Sequence, residues 1–389
     1  MAALAGKGAW ALGSDRPEIE TVRIGFMPVA DCAPVVMASV LGLDEKHGVK
    51  FALSREQSWT GMRDRLLSEE LHAGQVLYGM LYGVQMGIGT QRRDMAVLMN
   101  LNQNGQNITL SRALASCAHD PVALRRLVYA ERRRLTFAHT FPTGNHAMFL
   151  YYWLAAAGID PSADCQVVTV PPGQMANSLA AGHMDGFSAG EPWGLRAQRD
   201  GAGIQAASSE QVWPNHPGKA LGALASFADR HPNTCRATIA AMLEAARWLD
   251  ASRTNREAAA EVLASPGYVN ASRELLQYCL AGRQGAGGKW RGHNGLRFHA
   301  DGEANFPWLS DGMWFLTQHR RWGLLRTDPA YRAVALEVQR IGLYREAAEL
   351  TGTPLPEGNM RKSVLMDGRV WDGLDPTTYL DGFAHPHAA

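Results

Sequence analysis

The sequence predicts an α/β protein whose parallel-rich sheets are wound with helices. Three observations lead there. Apolar runs of strand length alternate with longer runs of helical periodicity along the first half of the chain. Loops rich in Gly and Pro recur where those strands end, around His146, Gly190 and Lys219. The 389 residues, 46% apolar and 19% charged, suffice for two or three α/β units around a large core.

Taken in order, VRIGFMPV (22–29) reads as a strand running into a turn, and residues 33–48 as a helix ended by Gly48. VKFALSRE is a strand; Ser58 caps a helix expected over 59–71. GQVLYGM, MAVLMNL, LTFAHTF and CQVVTVPP read as further strands, and HAMFLYYWLAAAGI as a helix ended by Gly158. This alternation argues for parallel sheets with crossover helices. Beyond Asp229 the chain turns helical and Ala-rich, and a Gly-rich stretch at 283–312 holds Trp290, Phe298, Phe306 and Trp308, which predicts a packed loop.

Composition excludes several function classes. A net charge of +1 leaves no electrostatic footprint for direct nucleic-acid binding. No segment offers the ~20 apolar residues of a membrane span, which predicts no membrane insertion. Five cysteines, well separated and without CxxC, read as reduced buried thiols. The first 20 residues read as disordered. They lack the basic start and ~7–15-residue apolar run of an export signal, which predicts a cytoplasmic protein, with a periplasmic location as the alternative.

The sequence contains no HExxH or P-loop. Cys32, beside Asp31 at a helix start, is the best candidate nucleophile, and its alternative reading is a buried structural thiol. The chain therefore reads as a binding protein rather than an enzyme. Loops at the carboxyl ends of parallel strands are where open sheets bind ligands. His146, the backbone at Gly190 and Lys219 are hydrogen-bond donors there with no obvious carboxylate partner, and so point to a small anion.

With those loops in view, the chain resembles the nitrate/bicarbonate branch of the type II periplasmic-binding-protein superfamily. The resemblance runs from Val22 to Gly323 through DCAP (31–34), SWTGMRD (58–64), LNQNGQ (101–106), the His146 loop, GEPW (190–193), HPGKALG (216–222) and NFPW…WF…RWG (305–323). It implies two α/β lobes with ligand between them and extra C-terminal helices. Lobe I is expected at 21–131 and 224–389, and lobe II at 132–223. It also implies that Trp59, Gln106, His146, Gly190 and Lys219 hold nitrate.

Each implied ligand makes physical sense: an indole N–H, an amide, a ring N–H, a glycine that lets backbone approach closely, and a cation to offset the buried charge. Bicarbonate-binding relatives place an acidic residue and a metal where this chain has Lys219. The resemblance therefore implies a site for nitrate or nitrite without metal or other cofactor. Glu191, beside an anion site, is expected to turn away towards backbone or a hinge arginine. Within the superfamily the lack of an export signal resembles the cytoplasmic nitrate/nitrite sensors (NasS-type), whose partner is an ANTAR-domain antiterminator. The alternative is the binding component of a nitrate ABC transporter, with a permease as partner. A third, enzymatic reading rests on Cys32.

Overall fold

The computed structural model describes residues 15–284 and 290–383. Ten strands build two five-stranded sheets: β1 (Thr21–Phe26), β2 (Lys50–Arg55), β3 (Ala73–Leu77), β4 (Met95–Gln103), β5 (Gln106–Ser111), β6 (Thr136–His139), β7 (Gln166–Thr169), β8 (Gly186–Gly190), β9 (Gly203–Ser208) and β10 (Pro217–Leu224). The first sheet has the order β2-β1-β3-β10-β4 and the second β7-β6-β8-β5-β9. The two share one plan. In each, parallel strands lie beside one strand from the connecting segments that runs antiparallel to both its neighbours. That strand is β10 in the first sheet and β5 in the second. The chain is thus a two-lobed α/β periplasmic-binding-protein fold, as the resemblance implies, with the parallel-rich sheets that the alternation of elements predicts.

The sheets divide the chain elsewhere than at 132 and 223. Strand β5 lies in the second sheet although it precedes 132, and β10 in the first although it precedes 224. The chain crosses between lobes after β4, at Asn104 and Gly105 with φ of +60° and +83°, and again between β9 and β10. Positive φ is costly for most side chains, and Asn and Gly are the residues that adopt it.

Ser58 does cap its helix, accepting from Gly61 N–H at 3.0 Å, but that helix is Trp59–Leu67, so Glu69 and Glu70 lie beyond its end. The helix expected over 33–48 breaks at Gly42, in left-handed conformation, into Ala33–Val40 and Leu43–Lys46. GQVLYGM is only half a strand: after Leu77 the chain turns into helix Tyr78–Gln85. Its Gly79 lies so close to the Thr143 carbonyl that a Cβ there would stand 2.3 Å away. The two lobes meet across this helix.

The C-terminal helices extend the first lobe. Pro232–Ala251 packs on Ala33–Val40, and Leu309–Arg321 packs on Tyr78–Gln85. Residues 15–20 are not disordered. Glu18 accepts hydrogen bonds from the Asn233 and Thr234 backbone N–H groups at 2.9 and 2.8 Å, anchoring them to the start of helix Pro232–Ala251. The rest of the expected disordered segment, residues 1–14, lies outside the described residues, as does 285–289 of the Gly-rich loop. Phe298, Phe306 and Trp308 of that loop are buried.

Candidate functional site

The facing edges of the two lobes form one sealed polar centre. Trp59 opens its helix on lobe I, and Lys219 stands in β10 rather than in a loop. Gln106 opens β5, His146 lies in the first turn of helix Asn145–Ala156 after β6, and Gly190 ends β8, all on lobe II. Trp59 is 1% exposed and Gln106, His146 and Lys219 are 0% exposed, so the site is closed to solvent.

The five positions converge. A Cβ built on Gly190 would lie 3.7 Å from both His146 Nε2 and Lys219 Nζ. Lys219 Nζ is 5.8 Å from the centroid of the Trp59 ring. Gln106 is the register partner of Gly190, and its amide nitrogen donates to Gly218 O at 3.4 Å, next to Lys219. Trp59 Nε1, His146 Nε2 and Gln106 Oε1 are buried without a protein hydrogen-bond partner. Buried polar atoms are normally paired, so three orphans around one point mark a place where another molecule's polar atoms belong.

Burial, reinforced by the Lys219 charge, holds His146 well below the usual histidine range, so its ring is neutral and offers one N–H rather than two. Its Nδ1 faces the Thr140 hydroxyl. When that hydroxyl donates, the ring proton sits on Nε2, the nitrogen aimed at the centre.

Lys219 is not a lone cation. Its Nζ donates to Asp31 Oδ2 at 2.7 Å, and both groups are buried. Asp31 Oδ1 accepts from Gln75 Nε2 at 2.6 Å, and Gln75 Oε1 accepts from Met27 N–H at 2.9 Å. The reading of Lys219 as an unmatched positive charge is therefore corrected. Asp31 is 188 residues away in sequence, so its pairing with Lys219 has no local signal. The one hint is an acid inside the apolar run around DCAPVV.

Cys32, next to it, is the wrong nucleophile. Burial and the Asp31 carboxylate push its thiol well up, so no thiolate is stabilised. Glu191 does point away from the centre. Its carboxylate accepts from Leu195 N–H (3.1 Å), Asn107 Nδ2 (2.7 Å) and Asn294 Nδ2 (2.8 Å), with His293 3.6 Å off; backbone and amides, rather than an arginine, hold it.

Polar latches close the lobes around the site. Ala30 N–H donates to Glu191 O at 2.7 Å, and Trp193 Nε1 to Pro28 O at 3.2 Å. Asn145 accepts from Gly79 N–H and donates to Pro217 O and Gly218 O.

Two expectations follow. Gly190→Ala places its methyl at ordinary contact distance, 3.5 Å from Val29 and 3.7 Å from the two donors, in the volume they enclose. The variant should keep its urea midpoint and lose at least about tenfold in anion affinity, roughly 1.4 kcal/mol. Glu191 supplies a pH signature. Burial pushes its pKa up to about 7, above the ordinary carboxylate range, so the folded chain holds this proton more tightly than the unfolded one. Stability then falls as pH rises from about 4.5 to about 7, by a few kcal/mol in all. Glu191→Gln should flatten this part of the slope in denaturation curves across that range.

Residues 15–264 match the NMT1-like family. The chain is 34% identical over 388 residues to the nitrate/nitrite binding protein NrtA of Synechococcus elongatus, covering 95% of this chain and 87% of that one. It is 29% identical over 396 residues to the bicarbonate-binding protein CmpA of the same species, covering 95% and 88%. The crystal structure of the periplasmic nitrate-binding protein NrtA from Synechocystis PCC 6803 superposes with a TM-score of 0.87 at 30% identity, over 95% of this chain and 99% of that one. The chain also spans 57% of the longer nitrate import ATP-binding protein NrtC of Synechocystis, at 32% identity over 381 residues. By sequence and by fold, the chain belongs to the NMT1-like family, in the group that contains the NrtA and CmpA binding proteins.

Proposed function

We propose that this protein is the nitrate- or nitrite-binding component of an ABC-type importer and works outside the cytoplasm. The observation that carries the reading is the convergence of Trp59, Gln106, His146, Gly190 and Lys219 on one sealed centre with three unpaired buried polar atoms. In the bound state Trp59 Nε1, His146 Nε2 and Lys219 Nζ donate to the anion's oxygens, with Gln106 turning its amide to present nitrogen. The NrtA relatives bind nitrate and nitrite, and over half of the nitrate import ATP-binding protein NrtC is similar to this chain. These relatives favour the transport reading over the cytoplasmic sensor with an ANTAR-domain partner, and favour a periplasmic location over a cytoplasmic one. They also stand against the enzyme reading, as does the inert Cys32 thiol.

Lys219 favours nitrate over bicarbonate held through a metal. A buried ammonium repels a cation at the centre, and its partner Asp31 already accepts two donors. Calorimetry in EDTA tests this directly. Nitrate should bind one to one, and His146→Ala should weaken binding by about 1–3 kcal/mol, the value of a hydrogen bond to a charged group. Binding only after calcium is added, or no binding of nitrate or nitrite, would refute the proposal.

A further inference from the structure

The cleft carries a buried acid that a simple anion trap would not include. Asp31 is 2% exposed, hydrogen-bonded to Lys219 Nζ at 2.7 Å, and fixed on its other oxygen by Gln75, which is itself tied to Met27 N–H. Lys219 N–H is in turn pinned by Asn102 Oδ1 at 3.0 Å. Among the described residues, the charged groups at the centre are thus one ammonium and one carboxylate. His146 is neutral, and His139 and His216 behind it are held by burial at about 4 and about 3. Before any ligand enters, the centre has no net charge.

That balance limits what can bind. A singly charged anion enters a net-neutral, water-excluded cavity with its charge spread over three donors and one shared ammonium. A doubly charged anion would leave two net charges in the cavity instead of one, and burying uncompensated charge is costly. Resting on the anion-receptor reading above, we infer that Asp31 is a specificity-determining residue. By neutralising Lys219 it restricts the cleft to singly charged oxyanions and weakens their binding enough for release.

The corollary is a pH dependence. Burial raises Asp31 against the opposing pull of Lys219 and Gln75, and an incoming anion raises it further by like-charge repulsion. Protonating Asp31 leaves the Lys219 charge free for the ligand, so affinity rises as pH falls. Asp31→Asn imitates that protonated state at every pH. The titratable neighbours of the pair do not change charge in this range: Cys32, next to Asp31, is pushed well up, and His146, which faces Lys219, well down. Glu191 does titrate there, from the far side of the turn, so all measurements use a Glu191→Gln background.

Isothermal titration with nitrate and with sulfate from about pH 5.5 to about pH 8 decides the matter. The parent should bind nitrate more tightly at low pH and show no heat with sulfate at high pH. Asp31→Asn should bind nitrate at least about tenfold more tightly at pH 8, lose the pH slope, and admit sulfate; the charge change acts in a low-dielectric site. Its unliganded form should melt earlier, with an unpaired ammonium, yet gain more in Tm from nitrate than the parent does. If Asp31 merely positions Lys219, the variant instead loses affinity for every anion in the same proportion and keeps the parent's slope, and that result overturns the inference. Should the variant not accumulate, a pH-independent nitrate affinity in the parent overturns it alone, and a rise at low pH supports it. Absence of any nitrate or nitrite binding would fail the receptor reading itself, whereas pH-independent nitrate binding fails only this inference.

Discussion

Lys219→Glu is expected to abolish nitrate binding, by at least about a thousandfold or 4 kcal/mol, and to destabilise the fold at the same time. Two effects add. The variant removes the ammonium that faces the His146–Gly190 centre, so a buried anion loses its opposing charge. It also sets a second carboxylate where Asp31 now meets Lys219 Nζ at 2.7 Å, deep in the closed cleft. Removing one partner of a buried ion pair costs about 3–5 kcal/mol, because the other is left uncompensated. Relief comes by protonation, so the variant should regain stability as pH falls, as two carboxylates sharing a site do. Urea denaturation and nitrate calorimetry on the same preparation check both parts. Unchanged nitrate affinity would remove Lys219 from the site.

Arg256→Met should have the largest effect on stability of any change outside the cleft, a loss of about 3–5 kcal/mol. Arg256 is 0% exposed, in helix Arg253–Ala264. Its guanidinium donates to Leu280 O at 2.7 Å and pairs with Asp250, and it stacks on Phe298 with 5.1 Å to the centroid. Asp250 in turn accepts from the backbone N–H groups of Phe298, His299 and Ala300 at 3.1, 2.7 and 3.0 Å. This one pair therefore organises the loop after 292, including Asn294, whose amide holds Glu191 of the GEPW turn. Loosening it should also weaken nitrate binding. A denaturation midpoint within error of the parent's would refute this role.

The sequence reading went furthest where chemistry repeats locally. Alternating elements announce the two sheets, Ser58 announces its helix, and glycines at strand ends announce the cleft. The five site positions came through resemblance to a family, since each alone reads as ordinary: a helix tryptophan, a loop glutamine, a turn glycine. What escaped was non-local or context-dependent. Helix Tyr78–Gln85 has an apolar sequence without a side-chain cap, and it forms because Gly79 and Gly83 allow it to press on Thr143. Strand β5 joins the sheet of the four strands that follow it and β10 returns to the sheet of the first four, because the chain crosses twice and only sheet pairing tells which side each strand joins. The Asp31–Lys219 pair joins the first strand's turn to the tenth strand, and no window of sequence contains both.

The central claim is that one anion sits among five residues drawn from two lobes. A crystal structure at nitrate saturation tests it most directly. The account predicts a single planar ion against Gly190, with oxygens about 2.7–3.2 Å from Trp59 Nε1, His146 Nε2 and Lys219 Nζ, and the Asp31–Lys219 contact retained. Nitrate bound elsewhere, with Trp59 Nε1 and His146 Nε2 still unpartnered, would contradict it.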